Sequence, residues 1–170
     1  MTTINIKYFK KVNDRNLYRL FDANNKDIYL KFFNVRLPFN FQLYNNKLYM
    51  TFEIFPTDDK YDDNINLINM FEDCIKENVI GKLKLKKETG LKGLCSVIKD
   101  RERGKHIKCM LKRDSKDIIL NGDDIDIKKM TEYHKLGYRY DIVVKVEVLW
   151  ENEEMYGVIF YMNSVERIVI

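Results

Sequence analysis

The chain has three cysteines, two histidines, two prolines and one tryptophan in 170 residues. Cys74, Cys95 and Cys109 cannot all pair within one chain, and so few thiols suit a reducing compartment better than a disulfide framework. No apolar run approaches the roughly 18 residues of a membrane-spanning helix. The opening MTTINIKYFKK has no apolar stretch behind a basic end, so no signal peptide is expected. Alanine occurs once, against 16 asparagines, 18 isoleucines and 22 lysines, a bias that reflects A/T-rich coding more than chemistry. What is abundant is material for a core: 45% of residues are apolar and 13% aromatic, too many for a disordered chain. A soluble, intracellular protein with no membrane partner is expected, folded as one domain over 1–170.

The motifs of catalysis and cofactor binding are also missing. Gly90-Leu91-Lys92-Gly93 lacks the Gly-Lys-Ser/Thr ending of a phosphate-binding loop. Asn121-Gly122-Asp123-Asp124 places its glycine before the acids, where a calcium loop needs it after them, and reads as a tight turn. His106 and Cys109 have the spacing of metal ligands, with Cys74 and Cys95 as further donors. On a strand, however, they point to opposite faces. Neither His106 nor His134 stands in a pattern that marks it as a general base beside a nucleophile. We therefore expect no enzyme, no cofactor and no metal.

Charge is strongly segregated. Residues 1–60 carry 10 basic and 6 acidic side chains, and residues 61–80 carry 1 and 5. Residues 81–116 carry 13 basic and 4 acidic, and residues 117–170 carry 6 and 11. The third block is a local source of positive field that favours a polyanion, although an acidic protein neighbour would answer the same charge.

Period-2 alternation dominates the chain. Strands are expected at Ile4–Val12, at Leu17–Phe21 and Ile28–Val35 as a hairpin around Asp22–Lys26, and at Phe39–Tyr44 and Lys47–Phe55 around Asn45-Asn46. Pro38 interrupts the ladder between them. A helix at about 62–80 follows from Ile65, Ile68, Phe71, Ile75 and Val79, with Asp62 or Asp63 as N-cap and Gly81 as stop. Beyond it, Lys82–Lys86 and Lys105–Arg113 alternate, and Ser96–Lys99 and Ile118–Leu120 are short strands. Ile125–Leu136 reads as a short helix, and Tyr138–Trp150 and Met155–Val165 as a long closing hairpin. Many strands, one dominant helix and long hairpins give a mainly β (α+β) fold: a β-barrel or sandwich with a helix inserted between strands.

On such a scaffold the outward faces offer Lys82, Lys84, Lys86, His106, Lys108 and Lys112. The intervening loops add Lys87, Lys92, Lys99, Arg101, Arg103 and Lys105. Tyr29, Lys31 and Phe33 share one side of their strand, and Tyr44 and Tyr49 flank the next turn. Cations for phosphates beside flat rings for bases suit single-stranded nucleic acid. DNA and RNA both remain open, since no reader of the 2′-hydroxyl is visible. An exposed edge at 28–35 could also pair with a second copy, giving a homo-oligomer.

Two stretches carry a resemblance. One is Val35-Arg36-Leu37-Pro38-Phe39-Asn40-Phe41 followed by Tyr44-Asn45-Asn46-Lys47-Leu48-Tyr49-Met50, an acidic turn and a helix. The other is Val143–Trp150, a short turn, and Tyr156-Gly157-Val158-Ile159-Phe160. Together they resemble the OB-fold single-stranded DNA-binding proteins of nucleocytoplasmic large DNA viruses, which are similar to a phage replication type. The resemblance implies a five-stranded Greek-key barrel with an inserted helix, coating single-stranded DNA in viral replication or repair. The family often ends in an acidic tail with a terminal aromatic, whereas this chain ends Val165-Glu166-Arg167-Ile168-Val169-Ile170. A virion structural or assembly protein, docking its basic face on a protein partner, is the alternative.

Overall fold

The structure is a computed structural model and describes residues 3–39, 42–45, 47–82, 93–111, 119–120, 123–124 and 138–168. In chain order it runs β1 (Ile4–Val12), β2 (Arg15–Asp22), β3 (Ile28–Val35), β4 (Gln42–Tyr44), β5 (Lys47–Ile54) and α1 (Tyr61–Lys82). There follow β6 (Gly93–Cys95), β7 (Ile98–Asp100), β8 (Lys105–Leu111), β9 (Ile119–Leu120), β10 (Asp123–Asp124), β11 (Arg139–Glu151) and β12 (Met155–Ile168). The fold is mainly β with a helix inserted between strands, as the alternation predicts. Among the described residues the sheet is not closed, since β1 has only β2 beside it and β4 only β5. The chain forms two compact units that interleave along the sequence, with β11 and β12 contributing residues to each.

The first unit comprises 1–28, 65–97 and 146–159. β1 and β2 form an antiparallel hairpin that turns at Asn13, whose φ of 54° an asparagine tolerates well. Val148–Glu151 of β11 pair with β2, and Met155–Gly157 of β12 run parallel to β6. Ile68, Phe71, Ile75 and Val79 are all buried, each contributing about 2 kcal/mol of apolar burial. Polar ties fix the helix in place. Ile4 N–H donates to Asn78 Oδ1 at 3.1 Å, and Glu72 Oε1 accepts Ser96 Oγ–H at 2.8 Å and Val97 N–H at 2.9 Å.

Two expectations about the helix are corrected. Asn64 N–H already donates to Lys60 O at 3.0 Å, so helical bonding begins ahead of Asp62 and Asp63. These two acids sit in the first turn, where they complement the helix dipole instead of capping it. Gly81 does not stop the helix, which continues through Lys82. Lys82 is therefore helical and not the start of a strand, and 83–86 lie outside the described residues.

The second unit comprises 29–64, 98–145 and 160–170. β3 pairs with β11, and β12 runs parallel to β8 at Phe160 and Tyr161. β8 continues antiparallel to β5, and β5 to β4. β7 folds back on the start of β8, and β9 lies parallel to β12 at Ser164 and Val165. At the end of the β7–β8 turn a Cβ on Gly104 would sit 2.9 Å from Ile54 O, so only glycine fits. β5 is buried on both faces from Met50 onward, with Thr51 and Glu53 covered as well as Phe52 and Ile54. Half-burial, as its alternation suggests, holds only for its first residues.

The hairpin expected between Leu17–Phe21 and Ile28–Val35 is also corrected. Its turn forms: Asp22 Oδ1 accepts the N–H groups of Asn24 and Lys26, both at 2.8 Å, and Asn25 takes φ 59°. The strands it joins are not neighbours, because β1 and β11 already occupy the two edges of β2. The expected helix at 125–136 lies outside the described residues.

Candidate nucleic-acid interface

Register places the outward side chains of the second unit without ambiguity, because residues directly opposite one another share a face. Tyr161 of β12 lies opposite Met110 of β8, Met110 opposite Tyr49 of β5, and Tyr49 opposite Gln42 of β4. One step along, Lys108 lies opposite Thr51, and at the end of the hairpin Tyr44 faces Lys47. The opposite face of the same strands holds Met50, Phe52, Ile107, Cys109 and Phe160, all in the core. The alternation in these strands thus produces a platform whose outer side carries rings and cations.

Lys108 is the centre of that platform. Its Nζ stands 4.0 Å from the centroid of the Tyr49 ring and 5.7 Å from that of Tyr44. Among the described residues it has no carboxylate partner, and its side chain is exposed. Each cation–ring contact is worth about 0.5–1 kcal/mol at an exposed site, enough to hold the ammonium over the rings without neutralising it. Burial, and then the neighbouring Tyr44, push the Tyr49 hydroxyl above its ordinary range, so the ring stays neutral at physiological pH. Tyr44 itself is 63% exposed. Asn45, at φ 48°, supplies the turn that presents it.

Farther along β8 the chemistry changes. His106 Nε2 lies 3.1 Å from Glu53 Oε1, and both side chains are largely buried. The Phe39 ring meets the imidazole edge-on at 5.7 Å and is itself well exposed. His106 stands on the strand side opposite Ile107, as the alternation requires, but it is largely covered and committed to Glu53. Lys99 lies opposite His106 and is exposed, and Arg101 and Arg103 project from the exposed tip of the β7–β8 turn. Lys105 is held by Asp100 at 2.6 Å, and that hydrogen bond raises its pKa.

On β3, Ile28, Leu30 and Phe32 are buried, while Tyr29, Lys31 and Phe33 share the exposed side. Lys31 Nζ stands 4.8 Å over the Phe33 ring and 3.4 Å from Asp141 Oδ2, so its charge is paired within the protein. The backbone beneath Phe33 is fixed by the buried Asn64 side chain. Asn64 Oδ1 accepts Phe33 N–H at 3.0 Å, and Asn64 Nδ2 donates to Phe33 O at 2.8 Å. That amide also occupies part of the strand edge at 28–35 on which pairing with a second copy was expected.

The structure therefore brings together Tyr44, Tyr49 and Lys108, and groups Tyr29, Lys31 and Phe33 separately on β3. The positions of Lys84, Lys86, Lys87, Lys92 and Lys112 lie outside the described residues. Sequence reasoning missed Met110, which lies beside Tyr49, and Tyr161, which lies beyond Met110 on the same face. The signal for Met110 was present in the alternation of β8, but Tyr161 is placed only by a parallel pairing fifty residues away in sequence.

No family model matches the chain, and no curated protein matches it. Solved structures do. The single-stranded DNA-binding protein from bacteriophage Enc34 aligns with a TM-score of 0.51 at 18% identity, covering 96% of this chain and 89% of that chain. The same phage protein in complex with ssDNA aligns with a TM-score of 0.56 at 18% identity, covering 97% of this chain and 96% of that chain. A C-terminal truncation of it gives a TM-score of 0.54 at 17% identity. At such identities the likeness establishes the fold: this chain has the OB-like architecture of phage single-stranded DNA-binding proteins.

Proposed function

We propose that the protein binds single-stranded DNA without sequence preference and without catalysis, acting in the replication or repair of a viral genome. The observation that carries the reading is Lys108, an exposed ammonium poised over Tyr49 and Tyr44 with no carboxylate to neutralise it among the described residues. A phosphate reaching Lys108 places its neighbouring bases beside two tyrosine faces, which stack on any base alike. The likeness of fold to a phage protein solved in complex with ssDNA supports the same reading. Membership of the single-stranded DNA-binding family of large DNA viruses, and a site of action inside the infected cell, are part of the proposal.

The test is fluorescence anisotropy of a labelled 30-mer of oligo-dT across a salt series. Engagement of about five phosphates gives a log–log slope near −3.5, at roughly −0.7 per single-strand contact. Absence of binding at low salt would refute the proposal.

A further inference from the structure

We propose that the exposed face of β1, β2 and the end of β11, in the first unit, is a second contact surface for the same single-stranded DNA. This rests on the function proposed above. It concerns residues that neither the basic segment 81–116 nor the β5–β8 platform contains.

The face is built by a β-bulge. Tyr8 lies opposite Tyr18, but the next pair is Lys10 with Leu17, so Phe9 is an extra residue on β1. In a regular strand Lys7 and Lys10, three apart, would point to opposite faces. The bulge turns Lys10 onto the side of Lys7, an instance of the way bulges re-aim side chains. Opposite pairs then give two rows on this face: Lys7, Arg19 and Val148, and Lys10, Leu17 and Trp150. The other side of the same strands carries the buried Ile4, Leu20 and Leu149, whereas on this side Lys7, Lys10, Arg15 and Arg19 are exposed and Trp150 is half-buried, with Val148 buried beneath them.

Cations and rings interleave throughout. The Arg19 guanidinium stands 4.6 Å from the Phe9 ring, and Lys10 Nζ stands 5.0 Å from it. Arg15 covers the Trp150 ring at 4.6 Å, and Lys7 approaches Phe21 at 5.2 Å. Among the described residues none of Lys7, Lys10, Arg15 and Arg19 has a carboxylate partner, and no acidic residue stands in either row. Four cations on one face with no carboxylate partner among the described residues repel one another, a cost that a polyanion relieves on binding. Flat, partly exposed rings between them suit a single strand with accessible bases, whereas a duplex hides its base faces.

Trp150 is the single tryptophan of the chain, so emission excited selectively at tryptophan, beyond the absorption of the 11 tyrosines, reports on this face. A labelled oligo-dT 30-mer is titrated while DNA anisotropy and tryptophan emission are followed together. The expected result is a salt-reversible change in Trp150 emission with the same midpoint as the anisotropy. In addition, Lys10→Ala/Arg19→Ala should flatten the salt slope by about 1.4, two contacts at roughly 0.7 each. A circular dichroism melt establishes that the variant is folded; should it not fold, the emission of the unaltered protein decides. Saturating anisotropy with unchanged emission and an unchanged slope would overturn the second surface and leave the proposed function standing. No anisotropy response at low salt would remove both.

Discussion

Replacing Lys108 and Tyr49 one at a time separates the two forces that the platform combines. Lys108→Ala removes one phosphate contact. With roughly 0.7 per contact in the log–log slope, the loss is about 0.7 in slope and about fivefold in affinity at 0.1 M salt relative to 1 M. Tyr49→Ala removes a stacking face worth about 1–3 kcal/mol, or about 5- to 150-fold in Kd, and leaves the slope unchanged. Tyr49→Phe keeps the ring and should bind nearly as the unaltered protein does. Lys108 is exposed and Tyr49 half-buried, so the lysine variant should melt within about 1–2 kcal/mol of the parent, the worth of its two ring contacts. Anisotropy with oligo-dT at four or more salt concentrations reads slope and intercept separately. A folded Lys108→Ala variant with both unchanged would refute the assignment of the platform as a phosphate and base contact.

Three further outcomes follow from the packing. Gly157→Ala should destabilise the fold by about 1–3 kcal/mol and shift Trp150 emission, because a Cβ there would lie 2.8 Å from the indole ring; thermal melts followed by fluorescence check it. Asn64→Leu should cost about 1–3 kcal/mol by stranding the Phe33 N–H and C=O, and should weaken oligo-dT binding if Phe33 is a contact. Thiol labelling under native conditions should modify Cys95 first, since Cys74 and Cys109 are buried and burial pushes both of their thiols upward; fast labelling of Cys109 would contradict the core described.

The parts of the fold legible in the sequence are those set by local alternation. From Ile28 to Phe33 every second residue is buried as the pattern requires, until Asn34 at φ 54° breaks the phase and Val35 turns inward, and the Asn45 turn and the closing hairpin stand where their turn residues put them. What could not be read depends on partners far away in sequence. β2 takes its second edge from Val148–Glu151, which no local pattern announces, so the well-formed Asp22 turn joins strands that do not pair. Lys82 has the look of a strand because leucines alternate after it, yet its backbone continues the helical hydrogen bonding.

For the candidate site the same division holds. Which lysines face outward on β8 follows from period 2, but their availability does not. Lys105 is taken by Asp100 and Lys31 shared with Asp141, and such pairings arise only once strands are in register. The cations near the N-terminus stood out less than the block at 81–116, although Lys7, Lys10, Lys11, Arg15 and Arg19 face a single acid, Asp14, within the first 20 residues. It takes the bulge at Phe9 to gather Lys7 and Lys10 on one face, and a one-residue insertion of that kind is invisible to a strict alternation.

The most direct test is competition: labelled oligo-dT bound to the protein, displaced in turn by unlabelled single-stranded DNA, duplex DNA of the same length and single-stranded RNA at fixed salt. Displacement by single-stranded DNA at concentrations well below those needed for the duplex is the predicted result. Equal displacement by the duplex would mean that the rings take no part and that charge alone binds, contradicting the stacking on Tyr44 and Tyr49 on which the account depends.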